Sequence, residues 1–172
     1  VSLPLIVDSA AISSAIIASD VAALNRDNIS TRLDQFDHNN QIRMLMGSIL
    51  PAAAYQKATR LRQALRRQIL DALARVDVLV MPTSSIPAPV IPEQAGISSK
   101  QEVIDGFAGR RGFTSPFNLA NTPALSINCG FTSQNLPIGL QIAGKPFDET
   151  TVFQVAHAYE QATDWHTRRP PD

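Results

Sequence analysis

Residues 114–147 read TSPFNLANTPALSINCGFTSQNLPIGLQIAGKPF, and their alternation decides the fold. In ALSINCGF, Leu125, Ile127, Cys129 and Phe131 alternate with Ala124, Ser126, Asn128 and Gly130. LPIGLQIAG repeats the pattern, with Ile138, Leu140 and Ile142 set against Gly139, Gln141 and Ala143. A period of two is that of a strand with one face turned to a core. The polar TSQN between the two runs predicts a hairpin, and small residues fill one face of each strand.

Upstream, the short β-branched run VDVLVM at 76–81 predicts a central strand covered on both faces. Pro82, Pro87, Pro89 and Pro92 follow and forbid regular structure, since each lacks an amide donor and restricts the residue before it. A long excursion leaving a strand end is either a rigid linker or a loop beside a ligand crevice.

Helices are predicted around these strands. Asp8 is placed to cap a first helix on which Ile12, Ile16 and Ala23 recur, followed by a polar loop around FDHNN. NQIRMLMG reads as a short helical turn with Gly47 at its C-terminal cap. From Pro51 to Arg75, Ala54, Ala58, Leu61, Leu65, Ile69 and Leu73 form one apolar stripe. Lys57, Arg60, Arg66 and Arg67 lie mostly off it and read as a solvated face, with Asp71 and Asp77 nearby. A last amphipathic helix starts at Asp148 and carries Val152, Val155, Ala156, Tyr159 and Ala162. The fold class is therefore α/β, a mixed sheet flanked by helices, in a single segment over 1–172.

Composition narrows the function. A chain of 172 residues can bury roughly 70% of its unfolded surface, so a real core forms without staples. With 15 basic and 15 acidic residues, no nucleic-acid or anionic-membrane surface is expected. The partner is expected to be a small molecule or a protein. The one cysteine, Cys129, excludes an internal disulfide and suits a reducing compartment, by default the cytoplasm. No apolar run is expected to reach the ~20 residues of a membrane span, and no signal peptide is read at the N-terminus.

Catalytic constellations are scarce. The sequence holds no GxSxG elbow, P-loop, GxGxxG, HExxH or CxxC, so neither a metal nor another cofactor is expected. His38, His157 and His166 are scattered, and the alternation places Cys129 among apolar neighbours rather than beside a base. Ser13–Ser14, Ser84–Ser85 and Ser98–Ser99 lack flanking glycines and read as ordinary helix and turn serines.

The order VDVLVMPTSSIPAP, FTSPFNLANTPALSINCGF, LPIGLQIAGKPFDE and a closing helix resembles the C-terminal part of the amidase signature family. IRMLMG followed by LPAAAYQKATRLR is similar to that family's Arg-x-x-x-Gly turn and tyrosine-containing helix, which extends the likeness over nearly the whole chain. The resemblance implies an α/β/α sandwich and cleavage of carboxylic amide C–N bonds. The implied chemistry is acyl transfer to a serine, with a cis-peptide serine relaying its proton to a neutral lysine. The family carries those three residues in a glycine- and serine-rich N-terminal stretch, which this sequence lacks. Lys57, Lys100 and Lys145 match none of them. The expectation is a C-terminal portion of a longer enzyme, inactive alone, that self-associates or pairs with an N-terminal half.

Carried over residue by residue, Arg43 matches an arginine that binds glutamine in the amide-donor component of aminoacyl-tRNA amidotransferases. Its alternative is a structural arginine that caps a helix end or pairs with an acid. Arg111 stands where that component has an aspartate for the substrate ammonium, which a guanidinium would repel. Leu5 and Ile6 stand where it has tyrosines. Both departures favour a stand-alone amidase with a less polar or anionic substrate. Thr114 and Asn118 are further substrate-binding candidates, the alternative for both being to organise the loop beside the pocket rather than to touch substrate. Two readings of other classes stay open: a noncatalytic assembly module presenting the Pro-rich loop or helix 51–75, and a thiol hydrolase using Cys129 with His157.

Overall fold

The computed structural model describes residues 1–91 and 113–169. A short 3-10 turn, Pro4–Asp8, leads into α1 (Ser9–Leu24), and α2 (Arg26–Thr31) and α3 (His38–Ile49) follow. The long α4 (Ala52–Leu73) precedes β1 (Val78–Pro82). Then come α5 (Ser115–Ala120), β2 (Ala124–Phe131), β3 (Pro137–Gly144) and α6 (Glu149–Gln161).

The stripe on α4 behaves as its spacing requires. Its sequence is rich in Ala, Leu, Arg and Gln, all strong helix formers. Leu65 and Ile69 are wholly buried and Ala58, Ala72 and Leu73 nearly so, each large aliphatic contributing about 1.5–3 kcal/mol. The hairpin also forms, with β2 antiparallel to β3 and the loop closed by the Thr132 amide on the Leu136 carbonyl. Thr132 Oγ1 accepts in turn from the Gln134 and Leu136 amides.

β3 is the central strand of the three, in the order β1-β3-β2, and all pairings are antiparallel. VDVLVM is thus an edge among the described strands, and Val80 is 53% exposed. A short apolar run cannot by itself distinguish an edge from a centre, because only the partner strands decide it. One sheet face, carrying Leu79, Met81 and Ala143, packs on α1, α4 and α5. The other, carrying Val78, Leu125, Ile127 and Ile142, packs on Val152, Val155 and Ala156 of α6. These are the layers of an α/β/α sandwich.

Three local expectations change. Gly47 is an interior, buried residue of α3 rather than its cap; a Cβ there would lie 1.9 Å from the Ala18 carbonyl oxygen of α1. Within FDHNN, Asp37 caps α3 by accepting from the Asn39 and Asn40 amides, so helix begins inside the stretch expected to be loop. Pro4–Leu24, with mean hydropathy 1.6, is long and apolar enough to cross a membrane, contrary to the expectation that no run reaches that length. Its isoleucines, valines, leucines and alanines are spread around the helix rather than along one stripe, and here Ser9, Ala10, Ile12, Ser13 and Ala22 are buried in a helix packed on α3, α4 and α5.

Candidate functional site

At the end of the sheet where β1 terminates, a groove of about 460 Å³ opens between residues 83–89 and the hairpin. Register builds its floor. Met81 pairs with Gln141 and Pro82 with Leu140, so the next residue, Thr83, comes opposite Gly139 and its amide donates to the Gly139 carbonyl at 2.8 Å. On the far side of β3, Asn128 pairs with Gly139 and Ser126 with Gln141. The side chains of Thr83 and Ser126 therefore share one sheet face, and their hydroxyl oxygens meet at 2.6 Å above Gly139. A Cβ at Gly139 would lie 2.6 Å from Thr83 Oγ1 and 2.8 Å from Ser126 Oγ, so only glycine leaves room for the pair.

The groove wall is held from behind. Gln141, 5% exposed, donates through Nε2 to the Phe113 carbonyl at 2.6 Å and so fixes the entry to α5. Pro116, Phe117, Leu119 and Ala120 are buried, which anchors this short helix and leaves Thr114 and Asn118 exposed on it. Asn121, left-handed at φ 52°, ends α5. Arg62 of α4 completes that end, Nε donating to the Leu119 carbonyl and Nη2 to Asn121 Oδ1, both at 2.9 Å. Arg62 thus serves a structural end from the edge of the buried stripe of α4, while Arg66, read as part of a solvated face, is half-buried with its Nη1 buried.

The expected site residues are distributed unequally. Thr114 precedes α5 as its cap position without a side-chain capping bond, and Asn118 lies one turn further on. Arg43 is half-buried on α3, which packs on α1 and α2. Its side chain makes neither a hydrogen bond nor an ion pair with another described residue. Arg111, Lys100 and Ser98–Ser99 lie outside the described residues. Leu5 and Ile6 sit in the 3-10 turn, where the Leu5 amide donates to Gln68 Oε1 of α4.

A bulge between Asn128 and Gly130 takes Cys129 out of the ladder, and its thiol reaches the Ile138 carbonyl at 3.4 Å. That contact breaks the simple alternation expected for Cys129, and no hydrogen bond joins it to the exposed His157 of α6. Among the described residues no group of three or more His, Cys, Asp or Glu is arranged to hold a metal ion. Ser84 is the turn serine expected of it, donating to the Ile86 carbonyl. The Thr83–Gly139–Ser126 floor was not foreseen. Its one signal in the sequence was the small-residue face of the two strands.

The Amidase family model matches residues 5–153. The chain is 37% identical over 145 residues to the A subunit of the glutamyl-tRNA(Gln) amidotransferase from Bacillus mycoides, covering 81% of this chain and 29% of that protein. It superposes on a crystal structure of an amidase with a TM-score of 0.78 at 24% identity, covering 95% of this chain and 37% of the other. The corresponding glutamyl-tRNA(Gln) amidotransferase component from Thermotoga maritima gives a TM-score of 0.59 at 28% identity, covering 89% of this chain and 32% of that one. The chain thus spans about a third of the length of these relatives. With the family model matching 149 consecutive positions and the same layers recurring in known amidases, the chain belongs to the amidase family.

Proposed function

We propose that this chain forms the substrate-facing wall of an enzyme that hydrolyses carboxylic amide C–N bonds. The attacking serine, the cis-peptide serine and the lysine are supplied by residues outside these 172. The observation that carries this reading is the convergence of the three family segments. PTSSIPAP, ALSINCGF and LPIGLQIAG become neighbours at one end of the sheet and enclose a groove floored by Thr83, Gly139 and Ser126. In an acyl-transfer enzyme such a wall holds the amide in register with the nucleophile, which is where positioning lowers the barrier. Arg43, Arg111, Thr114 and Asn118 stay its polar candidates on the family's pattern alone, since Arg43, Thr114 and Asn118 are not in the lining of the groove. A single cysteine is compatible with work in the cytoplasm, on a small amide, with the N-terminal part of the same enzyme as the protein partner.

A second reading, the amide-donor component of an aminoacyl-tRNA amidotransferase, draws on the 37% identity to such a protein. Ammonia release separates the readings. The product of the complete reading frame containing these residues is expected to release ammonia from hexanamide and to be labelled by a fluorophosphonate. The 172-residue chain alone is expected to do neither. Turnover by the chain alone would sink the proposal, and turnover of glutamine but not hexanamide by the complete product would favour the second reading.

A further inference from the structure

The far end of the hairpin forms one wall of the groove, through Thr132, Pro137 and Ile138. Pro137 pairs with Phe131 and Ile138 with Gly130, beyond the shift of register between Asn128 and Gly130. A bulge interrupts the ladder and lets its strand bend, so the regular pairing before it does not fix the angle of the hairpin beyond it. The C-terminal tail grips this end from outside. Arg168 lays its guanidinium carbon 3.9 Å from the centroid of the Phe131 ring, and its Nη2 donates to Asn135 Oδ1 in the turn at 3.4 Å. Trp165 packs on the same ring, and its carbonyl accepts from Asn128 Nδ2 at 3.4 Å. Asn128 Oδ1 in turn accepts from the Gly130 amide at 3.0 Å, so one side chain ties the bulge to the tail. Each contact is weak alone, the hydrogen bonds to the tail being long and the cation–π pair partly exposed. Their placement gives them their effect, because they span the bulge and join strand to turn.

We propose that the tail at Trp165–Arg168 is a strap that sets the position of the hairpin wall of the groove, and that Arg168 is the positioning residue in it. Arg168 is outside the described lining and acts through Phe131 and Asn135. The strap also lies beyond residues 5–153, which the family model matches, so it is a feature of this chain over and above the family segments. Its role in substrate binding rests on the reading of the groove as the substrate-facing wall of an amide-hydrolysing enzyme.

Amide exchange on the isotope-labelled chain tests the strap without reference to activity. The Thr132 amide donates to the Leu136 carbonyl and the Leu136 amide to Thr132 Oγ1, so both report on the turn. Arg168→Ala is expected to speed their exchange about two- to fivefold, the scale of one exposed cation–π contact, with Leu65 and Ile69 of α4 unchanged. Asn135→Gly keeps the left-handed turn at φ 60° and removes only the acceptor, and is expected to give a smaller acceleration at the same two amides. Arg168→Lys, which keeps a cation for the ring, is expected to recover part of the protection. In the product of the complete reading frame, Arg168→Ala is expected to raise KM for hexanamide about two- to fivefold with kcat nearly unchanged, as loss of uniform binding requires. Faster exchange confined to the tail, faster exchange throughout the chain, or an unchanged KM in an active enzyme would each overturn the proposal. A complete product that releases no ammonia sinks the hydrolytic reading, and the exchange pattern then decides by itself whether the strap holds the wall.

Discussion

Gly47 of α3 lies so close to Ala18 of α1 that a methyl group at Gly47 would sit 1.9 Å from the Ala18 carbonyl oxygen and 2.9 Å from the Cβ of Ala22. The two helices cross at this point with backbone against backbone. In an isolated helix Gly→Ala would add about 1 kcal/mol of stability through propensity. Here the obstacle is main chain, which cannot swing aside. Gly47→Ala is therefore expected to lower stability by about 2 kcal/mol, the usual scale of overpacking. A urea titration checks this as a lower midpoint at unchanged slope. A raised midpoint would mean that α1 and α3 do not meet at Gly47.

Arg62 joins α4 to the end of α5 through the Leu119 carbonyl and Asn121 Oδ1. A cation at a helix C-terminus satisfies carbonyls that have no partner within the helix and opposes the negative end of its dipole. Arg62→Met keeps the aliphatic stem and loses both bonds, and is expected to cost about 1–2 kcal/mol. Amide exchange should accelerate selectively across Ser115–Ala120. Arg62→Lys should recover only part of the loss, because a point charge cannot serve both acceptors as the planar fork does.

Phe147 adopts φ 63° and is 95% exposed, just ahead of the Asp148 cap of α6. The left-handed region costs a bulky L-residue about 1–2 kcal/mol, while glycine enters it freely and gives back about 0.5–1 kcal/mol through unfolded-state entropy. Phe147→Gly is thus expected to stabilise the chain by about 0.5–1 kcal/mol and to raise Tm by roughly 2 °C. A lower Tm in calorimetry would show that Phe147 makes a contact worth more than its strain.

Arg168 places its guanidinium carbon 3.9 Å from the centroid of the Phe131 ring, and Trp165 lies 6.2 Å from the same ring at 55°. Together they fold the tail back over the end of β2. Arg168→Ala is expected to cost about 0.5–1 kcal/mol, the scale of an exposed cation–π contact. The single tryptophan makes the change visible, since loosening the tail should shift Trp165 emission to the red. Identical spectra for both proteins would show that Arg168 does not hold it.

Much of this architecture is written locally. The α4 stripe works because apolar side chains three and four apart share a helix face whatever lies opposite, and Leu65 and Ile69 are accordingly the best-buried positions on it. The hairpin works because TSQN is short enough that its two strands must pair with each other. The candidate site was only half legible for the opposite reason. Thr114 and Asn118 belong to a local motif, and the structure places Thr114 at the cap position of α5 and Asn118 within it, neither of them in the lining of the groove. The floor of the groove joins Thr83 to Ser126 across 43 positions, through a strand that comes later than either in the chain.

The sequence by itself determined which segments become helix or strand, which faces turn inward, and the family to which their order belongs. Periodicity, turn chemistry and propensity act over a few residues, so a single chain displays them directly. Only the tertiary structure decided that β1 lies at an edge of the described strands, that Gly47 is a crossing point rather than a cap, and that Gly139 leaves space for two hydroxyls to meet. Each of these depends on which distant segment arrives alongside. That choice is made by packing two layers of helices against three strands at once, and no window of the sequence contains it.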